Sequence, residues 1–131
     1  MHKGFLQTAA LLGAISVALG AFAAHTLKDR ISDYALGIFE TAVKYQFYHV
    51  FALLITAIIY QYGKRNLLRW SGILFIMGIV LFSGSLYALT AIKAAVLPGY
   101  SWVGAITPLG GLCFIAGWIL MFVSVFTMKK Q

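Results

Sequence analysis

The chain has 131 residues, of which 62% are hydrophobic and 10% charged, with a formal net charge of +7 and a mean hydropathy of +0.92. A water-soluble domain of this size needs far more polar surface than that, and four membrane crossings in 131 residues leave no room for a second folded domain. The basic excess is no nucleic-acid signal, because Lys and Arg flank the apolar runs, where headgroups and topology signals place them.

Four stretches without Asp, Glu, Lys or Arg divide the chain: 21 residues between Lys3 and His25, 19 between Lys44 and Lys64, 23 between Arg69 and Lys93, and 35 between Lys93 and Lys129. A helix rises about 1.5 Å per residue, so about 20 apolar residues cross the hydrocarbon core. The runs are continuously apolar rather than alternating, which points to helices and not to an outer-membrane barrel. The expected fold is an all-α membrane protein, 1–131 forming one domain. Four transmembrane helices at about 4–24, 45–62, 70–92 and 104–128 make an antiparallel bundle, with a short amphipathic helix at about 32–44 between spans 1 and 2.

The first run ends in Ala21-Phe22-Ala23, which has the form of a signal-peptide cleavage site. Its apolar stretch is longer than the usual core of such a peptide. Small residues also repeat every fourth position, Ala10, Ala14 and Ala18 on one line and Ser16, Gly20 and Ala24 on another. That spacing lets helix backbones approach closely, so the run is expected to stay as a packed span. Next comes the segment that holds Asp29, Asp33 and Glu40. From Ser32, a suitable N-cap, Tyr34, Ala35, Ile38, Phe39, Ala42 and Val43 recur at helical spacing, and Glu40 and Lys44 form an i,i+4 pair. The segment is expected at the membrane surface, and with no Gly or Pro to separate them it can run without a break into the second span.

Lys64, Arg65 and Arg69 mark a tight turn that makes spans 2 and 3 antiparallel neighbours, with Tyr60, Tyr62 and Trp70 as interfacial anchors. Gly72, Gly78 and Gly84 recur every six residues, which keeps to no single helix face, so separate close contacts are expected of them. In the last run Pro98-Gly99 marks a turn, and Tyr100 and Trp102 suit an interface. Span 4 then starts at Thr107-Pro108, or near Val103 with Pro108 as a kink. With four spans, one side holds Lys3, Lys64, Arg65, Arg69, Lys129 and Lys130, and the other Lys28, Arg30, Lys44 and Lys93. The excess favours both termini in the cytoplasm.

His25 and His49 stand at the exit of the first span and the entry of the second, and so are expected at one membrane face. Thr41, Tyr45 and His49 share an i,i+4 stripe. The four residues form either a small polar site for a headgroup, a metal or a haem iron, or a set of hydrogen-bonded side chains that pins the loop helix. Polar residues near span ends are ordinary, which favours the second. No third ligand at metal spacing supports zinc. Span centres are expected to lack ionisable groups; small four-helix drug antiporters need a glutamate where this chain has Leu11, Leu12, Gly13 and Ala14. Ser83-Gly84-Ser85 and Gly110-Gly111 are read as packing contacts, and Cys113 and Trp118 as core residues. No catalytic constellation assembles within the spans, and a lone cysteine permits no internal disulfide.

Five motifs together resemble a known family. They are Gly20-Ala21-Phe22-Ala23-Ala24-His25-x-Leu27, Phe39-Glu40-Thr41-Ala42-x-x-Tyr45-Gln46-x-Tyr48-His49, Phe82-Ser83-Gly84-Ser85-Leu86-Tyr87, Gly104-Ala105-Ile106-Thr107-Pro108-x-Gly110-Gly111 and Gly117-Trp118. In this order they resemble the small multi-pass membrane proteins that include bacterial YwdK-type proteins and animal transmembrane protein 256. The resemblance implies a multi-pass membrane protein and brings no activity, substrate or cofactor with it. Two departures are Ala23, where glycine is usual, and a longer stretch between Tyr87 and Gly104. The expectation is a non-enzymatic, cofactor-free protein of a bacterial-type plasma membrane, an interaction or accessory component whose partners are the lipid bilayer and a second copy or another membrane protein, not nucleic acid. The alternative is a protein that binds or conducts a small ligand (lipid, quinone or haem) at His25 and His49.

Overall fold

In the computed structural model, residues 1–99 and 101–128 are described, and no strand occurs among them. The expectations for Tyr100, Lys129 and Lys130 lie outside those residues. Four helical stretches, Lys3–Leu27, Asp33–Ile59, Arg65–Ala94 and Trp102–Phe126, are long and apolar enough to cross a bilayer. The protein is a helical membrane bundle.

Helix α1 (Lys3–Phe22) is capped by His2, whose Nδ1 accepts from the Phe5 N–H at 3.1 Å. The His2 N–H donates to the Ala57 carbonyl at 2.8 Å, tying the start of the chain to the end of the next helix. A π turn at Ala23–Leu27 continues α1. The inner face runs through Phe5, Ala9, Ser16 and Ala23, with Gly13 and Gly20 against Val50 and Val43. The other expected line, Ala10, Ala14 and Ala18, faces outward, as does Ala24.

Helix α2 (Asp33–Ile59) starts where Ser32 Oγ accepts from the Ala35 N–H. The segment at 32–44 runs unbroken into the second span, as expected where no Gly or Pro separates them, but as the first part of a 27-residue helix and not as a surface helix. The reason is packing. Its apolar face of Ala35, Phe39, Ala42 and Val43 is buried in the protein, with Leu19, Leu27 and Tyr87 around Phe39 and Val43. Protein, not headgroups, takes up that face, so the helix stands upright beside α1. The turn after Ile59 is held by Ser124 Oγ, which accepts from the Lys64 N–H at 3.0 Å.

Helix α3 (Arg65–Gly78), a π turn (Ile79–Ser83) and α4 (Gly84–Ala94) form the third span. The following turn places Gly99 at φ +87 and, against its steric preference, Val96 at φ +54. A 3-10 turn (Ser101–Ala105) leads to α5 (Thr107–Phe126), with Pro108 in the first turn, where its missing N–H costs no helix bond. Helix α5 packs on α3 by setting rings over glycines. Phe75 covers Gly117, Phe114 covers Gly78, and Gly110 meets the Phe82 backbone so closely that no Cβ fits. Gly72 lies under Phe5, whereas Gly84 meets nothing, so two of the three spaced glycines make close contacts.

Candidate functional site: an aromatic groove at mid-membrane

Without water in the hydrocarbon, each polar group inside the bundle needs a partner from the protein. Gln46, 3% exposed, joins three helices: its Nε2 donates to the Leu12 carbonyl at 3.2 Å, and its Oε1 accepts from the Tyr87 hydroxyl at 2.8 Å. Ser83 Oγ in the second π turn donates to the Ala42 carbonyl, and Ser71 Oγ to the Gly117 carbonyl. Ser85 and Thr107 pair across α4 and α5 at 2.7 Å. Among the described residues, every buried side-chain N or O has a partner.

One turn beyond Gln46, the ring of His49 lies flat on Phe114, centroids 3.4 Å apart and planes within 4°. Its Nδ1–H donates to the Tyr45 carbonyl at 2.7 Å, and its Nε2 accepts from Trp118 Nε1–H at 3.3 Å. That pattern selects the neutral Nδ1–H tautomer, which satisfies both nitrogens. The Phe75 ring is tilted against the imidazole, with centroids 5.7 Å apart. Rings therefore bridge α2 and α5, whose backbones do not close on each other. The gap is a groove of about 610 Å³ lined by Tyr45, Tyr48, His49, Phe82, Gly111, Phe114, Ile115 and Trp118. Tyr45, Tyr48, Ile115 and Trp118 are exposed at its mouth, which opens to lipid.

The depth of the groove follows from helix register. Gln46 and Val50, which bracket His49, touch α1 at Leu12 and Gly13. That level lies ten residues from Lys3 and fifteen from Lys28, about 15 Å and 22 Å at the helical rise. His49 therefore sits about 4 Å from the centre of a crossing of about 37 Å, which fits a bilayer with about 30 Å of hydrocarbon.

Of the four residues expected to form a polar site, the structure brings together Tyr45 and His49. Thr41 Oγ1 donates to its own helix at the Gly37 carbonyl and lines a separate shallow groove with Tyr34 and Leu86. His25 is exposed in the π turn, twelve residues past Gly13 and so about 18 Å of helix from the His49 level. The two histidines do not share a membrane face, and no single iron reaches both. The reason is that α2 begins at Asp33, which carries His49 from the span entry to mid-bilayer. The expectation that span centres lack ionisable side chains fails there as well. Trp118, expected in the core, is 43% exposed at the groove mouth. Gln46, Phe82 and Phe114 were not among the candidates. A glutamine three residues before a histidine on an apolar helix was a readable sign for Gln46; nothing in the sequence placed Phe114 or Trp118 against His49.

Residues 19–111 match the family described as "Protein of unknown function (DUF423)". The UPF0382 membrane protein SH2409 of Staphylococcus haemolyticus is 43% identical over 124 residues, 95% of this chain and 96% of its own. The UPF0382 membrane protein YwdK of Bacillus subtilis is 39% identical over 123 residues, 93% of this chain and 95% of its own. The UPF0382 inner membrane protein YgdD of Escherichia coli is also 39% identical over 123 residues, covering 94% and 89%. No solved structure matches. Four apolar spans with their polar groups paired inside, and likeness along almost the whole chain to proteins named for the membrane, place this chain in the DUF423 family of multi-pass membrane proteins.

Proposed function

We propose that the protein is a non-enzymatic component of the cell membrane that binds a membrane-dissolved amphiphile, of the lipid or quinone class, in the groove at His49. The observation that carries this reading is the groove itself, open to hydrocarbon at mid-bilayer and walled by aromatic faces. Concave, mostly apolar sites with a few convergent polar groups are the usual form of small-molecule sites. An ionisable side chain at this depth marks function more often than one near a span end. Phenylalanine would stack on Phe114 as well as imidazole does, with no polar atom to satisfy. Imidazole instead offers the Trp118 N–H to a ligand carbonyl and its own Nε2 to a ligand hydroxyl, if the 3.3 Å bond between them opens.

The test compares the wild type with Gly111→Leu, a side chain that would fill the groove from a position where a Cβ meets only the Phe82 ring at 4.0 Å. Both proteins are purified in mild detergent and their bound lipids and quinones extracted for mass spectrometry. An amphiphile enriched with the wild type and lost from Gly111→Leu is expected; identical extracts would sink the reading.

A second reading, an accessory protein that docks helix to helix, is favoured by the outward line of Ala10, Ala14 and Ala18 on α1. Disulfide trapping of Ala14→Cys in native membranes tests it, and absence of any crosslinked species removes it. We assign the chain to a bacterial plasma membrane, where YgdD is by name an inner membrane protein, with both termini cytoplasmic from the balance of Lys and Arg. A cytoplasm-active reporter fused after Lys130 is expected to work; activity only from a periplasm-active reporter would reverse the orientation.

A further inference from the structure

The seam between α1 and α2 holds a carboxylate and an ammonium that the His49 groove does not use. Glu40 and Lys44 are both exposed, and with Gly20, Ala23 and Val43 they line a groove of about 320 Å³. Small residues on α1 open this slot, since neither Gly20 nor Ala23 sends a long side chain across it.

Depth makes the two charges unusual. Val43 packs at Gly20, and Phe39 clusters with Ala23. The Lys44 backbone is thus about 12 Å below the Lys28 end of the bundle, and Glu40 about 8 Å below it, by eight and five residues of α1. The polar layer of one leaflet is only about 5–7 Å thick. Both side chains therefore start at or beneath its inner border and reach back toward the headgroups. A charge held there needs a partner of opposite sign.

We propose that this seam binds an aminophospholipid, the lipid phosphate on the Lys44 ammonium and the lipid's primary ammonium on the Glu40 carboxylate. The order of charges supports this occupant. In such a lipid the phosphate lies deeper than the terminal ammonium, and here the cation is the deeper residue and the anion lies one helical turn nearer water. The Gly20–Ala23 slot leaves room for the glycerol and upper acyl chain. A choline lipid carries no N–H to donate to the carboxylate, and a glycerol lipid carries no cation at all.

The test is native mass spectrometry of the full chain in detergent, offered equal amounts of phosphatidylethanolamine, phosphatidylcholine and phosphatidylglycerol with identical acyl chains. The wild type is expected to retain the ethanolamine lipid over the other two by up to about fivefold, the scale of one exposed charge pair. Glu40→Gln should level ethanolamine with choline, Lys44→Met should lower retention of all three, and Gly20→Leu should abolish the preference by filling the slot. Both charged side chains are exposed, and circular dichroism checks that each variant keeps its helix content. Equal retention of the three lipids by the wild type would overturn the proposal. Preference for phosphatidylglycerol, or an unchanged ethanolamine-to-choline ratio in Glu40→Gln, would overturn it too.

Discussion

Replacing Gln46 by leucine should loosen three helices at once. Gln46 donates to the Leu12 carbonyl of α1 and accepts from the Tyr87 hydroxyl of α4, at 3.2 Å and 2.8 Å. Hydrogen bonds between membrane helices average about 0.6 kcal/mol and reach about 1.7, so two of them amount to about 1–2 kcal/mol. The Leu12 carbonyl keeps the Ser16 hydroxyl as a donor, whereas the half-buried Tyr87 hydroxyl loses the Gln46 acceptor. Gln46→Leu should therefore cost about 1–2 kcal/mol, with the Tyr87 contact the larger share. Tyr87→Phe alone should cost about 0.6 kcal/mol or somewhat more, because it leaves Oε1 of Gln46 buried and unpaired. The double variant should be more stable than the sum of the two losses implies, by about 0.6–1.7 kcal/mol. Unfolding in mixed micelles of rising dodecyl sulfate fraction, followed by tryptophan fluorescence, measures all four proteins. Additivity to within about 0.3 kcal/mol would show that the two side chains do not meet.

Glycine substitutions should divide by location. Gly110→Ala drives a Cβ into the Phe82 backbone and should cost about 1–3 kcal/mol or more, while Gly37→Ala, on an exposed helix face with nothing nearby, should gain about 0.5–1 kcal/mol. Val96→Gly relieves a β-branched residue at φ +54 that is 86% exposed, and should raise thermal stability in detergent by about 1 kcal/mol. His49→Ala removes the stack on Phe114 and the acceptor for Trp118, and should cost about 2–4 kcal/mol, whereas His49→Phe keeps the stack and should cost under about 1.5 kcal/mol. Equal melting temperatures for the two His49 variants would contradict the stacking.

Hydropathy alone located the four crossings, because the requirement for about 20 apolar residues is a property of lipid and not of any one fold. It misjudged the start of span 2. Asp33, Glu40 and Lys44 make 32–44 look like a surface segment, yet Ala35, Phe39, Ala42 and Val43 find a protein surface on α1 and α4, and helix α2 runs through. That one difference moves His49 from a membrane face to the interior and parts it from His25. Within the candidate site, the local pair Tyr45 and His49 was legible from i,i+4 spacing. Phe114 and Trp118 come from a helix more than sixty residues away, and their meeting with His49 depends on Gly78 and Gly117 letting α5 settle onto α3. The π turn at Ile79–Ser83, which turns Ser83 toward Ala42, leaves no mark in composition or periodicity.

The placement of His49 and its groove at the centre of the bilayer is tested most directly by nitroxide depth measurements. With Cys113 changed to serine, single spin labels go on Ile115→Cys at the groove mouth and on His25→Cys in the π turn, in reconstituted vesicles. Oxygen should relax the Ile115 label strongly and a water-soluble nickel chelate hardly at all, with the reverse at residue 25. Equal depths at the two positions, or a chelate-accessible label at 115, would put the groove at a membrane face and remove the ground for an amphiphile site.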